Sequence, residues 1–194
     1  MEKSSPWKNY YEGTREKPPR ESLVDAIKLA QGRDVALDLG GGALRDSKYL
    51  LKNGFKKVIV VDKEQVVADL VHDQKDDRLE SVTSTFEAFD FQPNSYDVVN
   101  AQFSLPFTRP DKFQDMFRRL EDSLKKGGIF VGQFFGDHDS WKSNSNMTFL
   151  MREQIEELLN QLQVLELREE EKYDEADNAE ERHWRHIFHV TARK

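Results

Sequence analysis

Val35-Ala36-Leu37-Asp38-Leu39-Gly40-Gly41-Gly42 is the stretch from which the fold class is read. An apolar run of strand length, interrupted only by Asp38, enters three glycines. Ala43 to Asn53 then reads as a helix closed by Gly54. Glycines at a strand-to-helix junction permit a tight turn and let a ligand approach the backbone. The helix that follows offers free N–H groups and a positive dipole end to an anion. Lys57-Val58-Ile59-Val60-Val61-Asp62 is a second buried strand. It ends on an acid about twenty residues after the first glycine, where a doubly wound sheet places a ribose acceptor.

The alternation continues outward. Arg20 to Gln31 predicts a helix with Leu23, Ile27 and Ala30 on one face. Glu64 to Gln74 is helical, with Val66, Val67, Leu70 and Val71 as its stripe. Leu79 to Ser84 is a third strand, and a fourth lies within Tyr96 to Phe103. After Pro110, the residues Phe113, Met116, Phe117, Leu120 and Leu124 form a continuous helical stripe. Lys125 and Lys126 are expected in its last turn, and Gly127-Gly128 at its end. Ile129 to Phe135 is a fifth strand and Met151 to Leu162 a helix. Val164 to Leu167 and Trp184 to Ala192 are the last strands. Continuous β-branched runs alternating with helices predict an α/β fold, a doubly wound, mostly parallel sheet covered on both faces. The last two strands have no helix between them and are expected to pair as a hairpin, which makes one strand antiparallel.

The 194 residues suit one domain. Hydrophobic residues make up 37% and charged residues 34%, and the 13 Phe, 5 Tyr and 3 Trp point to a globular core. No apolar run approaches the ~20 residues of a spanning helix, and Met1 to Pro6 does not look like a signal peptide. The absence of cysteine excludes disulfides and thiolate chemistry and fits a cytoplasmic setting. Residues 166–181 hold nine acids and two bases, so this stretch alone carries the net charge of −7. It is expected as a solvated loop or hairpin tip. The neutral remainder shows no basic footprint for nucleic acid. Residues 1–20 carry the breakers Pro6, Gly13, Pro18 and Pro19 beside Trp7, Tyr10 and Tyr11. They are read as an aromatic cap on a domain spanning residues 21–194. No feature specifies an oligomeric state.

Two adenosine ligands compete for the glycine turn. A dinucleotide fingerprint wants a third glycine where Arg45 stands. The bulky Leu44-Arg45 pair hinders close approach of a pyrophosphate. An acid two residues before the first glycine suits a ligand bearing an ammonium group, as Asp38 does. These features favour S-adenosylmethionine over NAD(P), which remains the alternative with hydride chemistry.

Four segments carry a resemblance to the class I S-adenosylmethionine-dependent methyltransferases: residues 36–42, Val60-Val61-Asp62, residues 94–101, and residues 124–130. Within the class the chain is similar to small tellurite-resistance-like and thiopurine-like methyltransferases. The resemblance implies a seven-stranded sheet of order 3-2-1-4-5-7-6 with strand seven antiparallel. It implies that Asp38, Gly40, Gly41 and Gly42 line the methionine end of the cofactor and that Asp62 and Lys63 hold the ribose. Thr85 and Phe86 would then face the adenine, and Asn100 and Ala101 would pass near the methionine moiety. Leu44 departs from the small residue usual in the first motif, and Thr85-Phe86 from the usual acid.

Methyl transfer from a sulfonium is an in-line displacement, so the protein chiefly positions a nucleophile and excludes water. Tyr10, Tyr11, Arg15, Phe103, His138 and Trp141 are the candidates to meet the acceptor, because they flank strand ends or belong to the cap. His138 is also the candidate base. His183, His186 and His189 do not suggest a metal site, since residues three apart on a strand face opposite ways. The expected function is methyl transfer to a small molecule. A protein acceptor recruited by the acidic stretch and a non-catalytic cofactor-binding module are the other possibilities.

Overall fold

The computed structural model describes residue 11, residues 13–174 and residues 182–194. Trp7, Tyr10, and the acids Glu175, Asp177, Glu180 and Glu181 lie outside the described residues.

The elements follow in the order α1 (Glu21–Leu29), β1 (Val35–Leu39), α2 (Arg45–Lys52), β2 (Lys57–Asp62), α3 (Gln65–Asp73), β3 (Leu79–Thr83), β4 (Tyr96–Ala101), a single 3-10 turn (Leu105–Phe107), α4 (Pro110–Ser123), β5 (Leu124–Gly136), the short β6 (Phe149–Leu150), α5 (Arg152–Leu158), β7 (Gln163–Tyr173) and β8 (Trp184–Arg193). The sheet runs β3-β2-β1-β4-β5-β8-β7, with β6 attached to β5. Its first five strands are parallel, and β8 pairs antiparallel with both β5 and β7. This is the predicted path, renumbered by the two-residue β6. Alternate residues of the central strands feed two cores. Leu37, Leu39, Val99 and Ala101 meet α4 and α5 through Phe113, Met116, Phe117 and Ile155. Ala36, Val58, Val60 and Val98 meet α1, α2 and α3 through Leu23, Ile27, Leu50 and Val67.

Two expectations are corrected. The helix after Pro110 ends at Ser123, so Lys125 opens β5 instead of closing α4. Its ammonium lies 3.0 Å from the buried carboxylate of Asp97, which also accepts the Asp34 and Val35 amides at 2.9 Å each. Asp97 thus pins the start of β1 to β4, and the lysine serves as its counter-ion. The acidic stretch is no loop as far as it is described: β7 continues to Tyr173, with Glu169, Glu170 and Glu171 opposite Phe188, Ile187 and His186. Acids on an edge strand keep other chains from pairing with it, and here two of them, Glu169 and Glu170, also bond to His186 and His189 of β8.

Candidate active site

The C-terminal ends of β1, β2 and β4 converge on the glycine turn. Gly40 (φ +76°) and Gly42 (φ +50°) take left-handed conformations, and a Cβ on Gly40 would lie 2.5 Å from Ser104 Cβ. Gly41 is required by packing: its Cβ would meet Val60 Cγ1 at 2.3 Å. Leu44 is also left-handed (φ 62°), which delays α2 to Arg45.

Beside the turn lies a cavity of about 390 Å³. Gly40, Gly42, Asp62, Lys63, Glu64, Ser84, Thr85, Phe86 and Ser104 line the part near β1–β3. Tyr11, Gln102, Phe103, Phe107, Arg109 and Asn146 are among the rest. The volume falls in the range of small-molecule sites, roughly 300–1,000 Å³. A smaller recess of about 40 Å³ shares Gly40, Gly42 and Gln102 with it and adds Asp38, Gly41 and Arg45.

Asp38 is fully buried. Its carboxylate accepts a hydrogen bond from Asn100 Nδ2 at 2.8 Å and another from the Ser47 hydroxyl. Burial, helped by the neighbouring charge of Asp46, pushes its pKa up to about 7 in spite of those two donors. Asn100 is the last link of an amide chain. The Phe103 amide donates to Gln133 Oε1, Gln133 Nε2 to Gln102 Oε1, and Gln102 Nε2 to Asn100 Oδ1, each at 2.9 Å. Every donor in the series points toward Asp38. The chain holds Phe103, a bulky residue with φ 57°, in a left-handed conformation that few such residues adopt. Asp62 accepts the Glu64 amide at 3.0 Å and, loosely, the Gly42 amide at 3.4 Å. Burial raises its pKa as well. Each of its oxygens keeps a lone pair for a further donor.

Of the residues singled out in the sequence, Gly40, Gly42, Asp62, Lys63, Thr85, Phe86, Tyr11 and Phe103 line the cavity, and Asp38 and Gly41 line the recess. Asn100 and Ala101 line neither. They belong to β4, which is buried on both faces, so Asn100 supports Asp38 and Ala101 joins the α4-side core. The chain turns toward the cavity only beyond the strand, at Gln102 and Ser104. His138, Trp141 and Arg15 also lie outside the lining. His138 is exposed and bonds Glu171 at 3.0 Å, which raises its pKa. Trp141 packs under the Arg185 guanidinium, 3.6 Å from the ring centroid. Arg15 is exposed beside Glu16. Tyr10 lies outside the described residues. Phe107 lines the cavity with Phe103 and Ser104, as the position of residues 103–107 after the fourth strand suggests, whereas Arg109 and Asn146 had no local signal, because separate parts of the chain bring them in.

Residues 37–132, just under half of the chain, match the family model of a methyltransferase domain. No curated protein matches the sequence. Among solved structures, TehB from Haemophilus influenzae is 18% identical with a TM-score of 0.79; the alignment covers 95% of this chain and 65% of TehB, so the chain spans less than two thirds of that relative. An S-adenosylmethionine dependent methyltransferase from Mesorhizobium loti is 13% identical (TM-score 0.69), covering 95% of this chain and all of that one. The 1,6-didemethyltoxoflavin-N1-methyltransferase of Burkholderia thailandensis, solved with 1,6-didemethyltoxoflavin and S-adenosylhomocysteine, is 20% identical (TM-score 0.62), covering 96% and 84%. At these identities the structural likeness is one of fold. Strand order, glycine turn and strand-end cavity define a Rossmann-like methyltransferase fold. Within that fold, residues 37–132 match a methyltransferase domain, and the solved structures that the chain resembles include S-adenosylmethionine-dependent methyltransferases. Arg45, standing where a dinucleotide site needs glycine, is ion-paired to Asp46 at 3.1 Å, which counts against the NAD(P) alternative, as does the domain match.

Proposed function

We propose that the protein methylates a small molecule seated against Tyr11, Gln102, Phe103 and Phe107. The observation that carries this reading is the cavity itself, which runs from the glycine turn and Asp62 to an aromatic wall within one modest volume. When bound, the cofactor supplies a methyl group activated on a sulfonium. In S-adenosylmethionine, the cofactor of this reading, the ribose hydroxyls would fall to Asp62 and the adenine to Phe86, both of which line the cavity. Asp38, at the recess beside Gly40 to Gly42, attracts the methionine ammonium. That cation favours the ionised form which burial disfavours.

Phe103 and Phe107 exclude water from the acceptor side, and the amide chain through Gln133 keeps Phe103 in place. The protein's contribution is alignment, worth up to roughly 7–11 kcal/mol in a displacement of this kind. Among the described lining residues no histidine stands ready as a base. The acceptor in this reading is a heteroatom with an available lone pair, such as a thiolate, an amine or an acidic phenol, and the lining carboxylates Glu64 and Glu87 are the groups at hand to take a proton.

The test is formation of S-adenosylhomocysteine from S-adenosylmethionine with a panel of small thiols, amines and phenols, run beside basic peptides. Turnover with small molecules supports the reading. Turnover confined to peptides moves the acceptor to a protein partner. Tight cofactor binding with no turnover across a broad panel points to a non-catalytic module.

A further inference from the structure

Two histidines from distant parts of the chain meet where β5 ends. His186 of β8 is buried, and its ring lies on Gly136: a Cβ there would stand 2.0 Å from His186 Nδ1, so glycine is what admits the ring. His138 follows β5 and stacks on His186 with centroids 4.8 Å apart. Each imidazole faces a glutamate of β7. His186 Nε2 is 2.9 Å from Glu169 Oε1, and His138 Nδ1 is 3.0 Å from Glu171 Oε1. A carboxylate only accepts, so those two nitrogens carry the protons and the neutral rings turn their lone pairs the other way. The His138 amide, which donates to His186 Nδ1 at 3.1 Å, requires the same tautomer. The two unprotonated nitrogens, His138 Nε2 and His186 Nδ1, lie 4.0 and 3.8 Å from one oxygen of Asp137. All three atoms fall within 4.8 Å of one another.

We propose that Asp137, His138 and His186 form a binding site for a divalent transition-metal ion, with Glu169 and Glu171 orienting the two imidazoles. Carboxylates behind histidines are the usual means of fixing a ligand's tautomer and aim. Two imidazoles and one carboxylate suit zinc, cobalt, nickel or iron(II) better than magnesium or calcium. Ligand atoms around a tetrahedral ion with bonds of ~2.0–2.1 Å stand about 3.3 Å apart, so the Asp137 edges, at 3.8 and 4.0 Å, are open by roughly 0.5–0.7 Å and the edge between the two imidazoles by at most about 1.5 Å. His138, with 63% of its side chain exposed, is free to close that gap and leaves a path for entry. Binding displaces the His138 amide from Nδ1. Lys142, 3.6 Å from Asp137, contacts the other carboxylate oxygen and leaves the first available. The cluster shares no residue with the cavity, so the inference stands apart from the acceptor reading.

The experiment uses the full chain without an affinity tag, freed of metal by chelation. It is titrated with Zn²⁺ by calorimetry and with Co²⁺ by visible absorption. One equivalent is expected to bind, with d–d absorption from nitrogen-coordinated Co²⁺. His138→Ala and Asp137→Asn should each lower affinity at least about tenfold, and Glu171→Gln by about 10–100-fold. S-adenosylhomocysteine affinity should not change in any of them. The His138 and Asp137 variants are decisive, because the buried His186 also serves the fold. Absence of saturable binding below about 1 mM Zn²⁺, or binding undiminished in both variants, overturns the proposal.

Discussion

Replacing Asp38 by Asn should make the protein more stable at pH 8 than at pH 4, relative to the unaltered chain. Asp38 has a pKa of about 7 in the fold against 3.8 as the ordinary value. A carboxyl whose pKa is raised by folding binds its proton more tightly when folded. Its contribution is therefore fully present below about pH 4 and is lost as pH rises through about 7. The difference of about three units corresponds to about 4 kcal/mol. Asparagine is the neutral isostere of the protonated acid. Its oxygen can still accept from Asn100, and its amide can donate to Ser47, the two partners Asp38 has now. Urea unfolding of both proteins from pH 4 to pH 8, without cofactor, isolates the effect because the two proteins differ by a single titrating group. The stability difference should move toward the variant by about 4 kcal/mol across that range, or roughly 10 °C in Tm. The variant should also bind S-adenosylmethionine more weakly at pH 8. A stability difference that stays within about 1 kcal/mol over the range would refute the reasoning, since Asp38 would then ionise like an ordinary carboxylate.

Asp62→Ala should weaken S-adenosylhomocysteine binding by roughly 10–100-fold, the equivalent of about 1.5–3 kcal/mol for hydrogen bonds to a charged acceptor, as read by calorimetry. Gly40→Ala must place a Cβ 2.5 Å from Ser104 on a backbone at φ +76°. Loss of measurable cofactor binding, with a Tm several degrees lower, is expected; normal affinity would mean that the turn relaxes. Asp97→Ala strands the Asp34 and Val35 amides and leaves the Lys125 ammonium only Asp34, at 3.3 Å; it should cost about 3 kcal/mol in urea unfolding while leaving ligand affinity in the surviving folded protein nearly intact.

The doubly wound sheet was legible because its cues are local. Val35 to Leu39, Lys57 to Asp62 and the stripe from Phe113 to Leu120 each announce their element within a few residues. The glycine turn announces where the ligand must come. The same holds for Asp62, whose position at a strand end is a matter of counting.

What is not local was not legible. Asn100 and Ala101 carry the right motif, yet the chain reaches the cavity only past the strand end, at Gln102 and Ser104. The acidic run reads as loop because charge in a sequence signals solvent. Its pairing with β8 is decided by a partner some twenty residues away in the chain. Lys125 has the sequence position of a helix end, and its place in β5 is fixed by Asp97, 3.0 Å away. The histidines show the division most plainly. Read along one strand, His183, His186 and His189 cannot share an ion, whereas the fold joins His186 to His138 and Asp137 across the sheet.

The sequence by itself determined the class of fold and the glycine turn beside which the cavity lies, since both follow from periodicity and from the backbone freedom of glycine at a turn. Tertiary structure alone decided the amide chain behind Phe103, the ionisation of Asp38 and the histidine cluster. Each of these depends on burial and on distances between residues that chain order does not bring together.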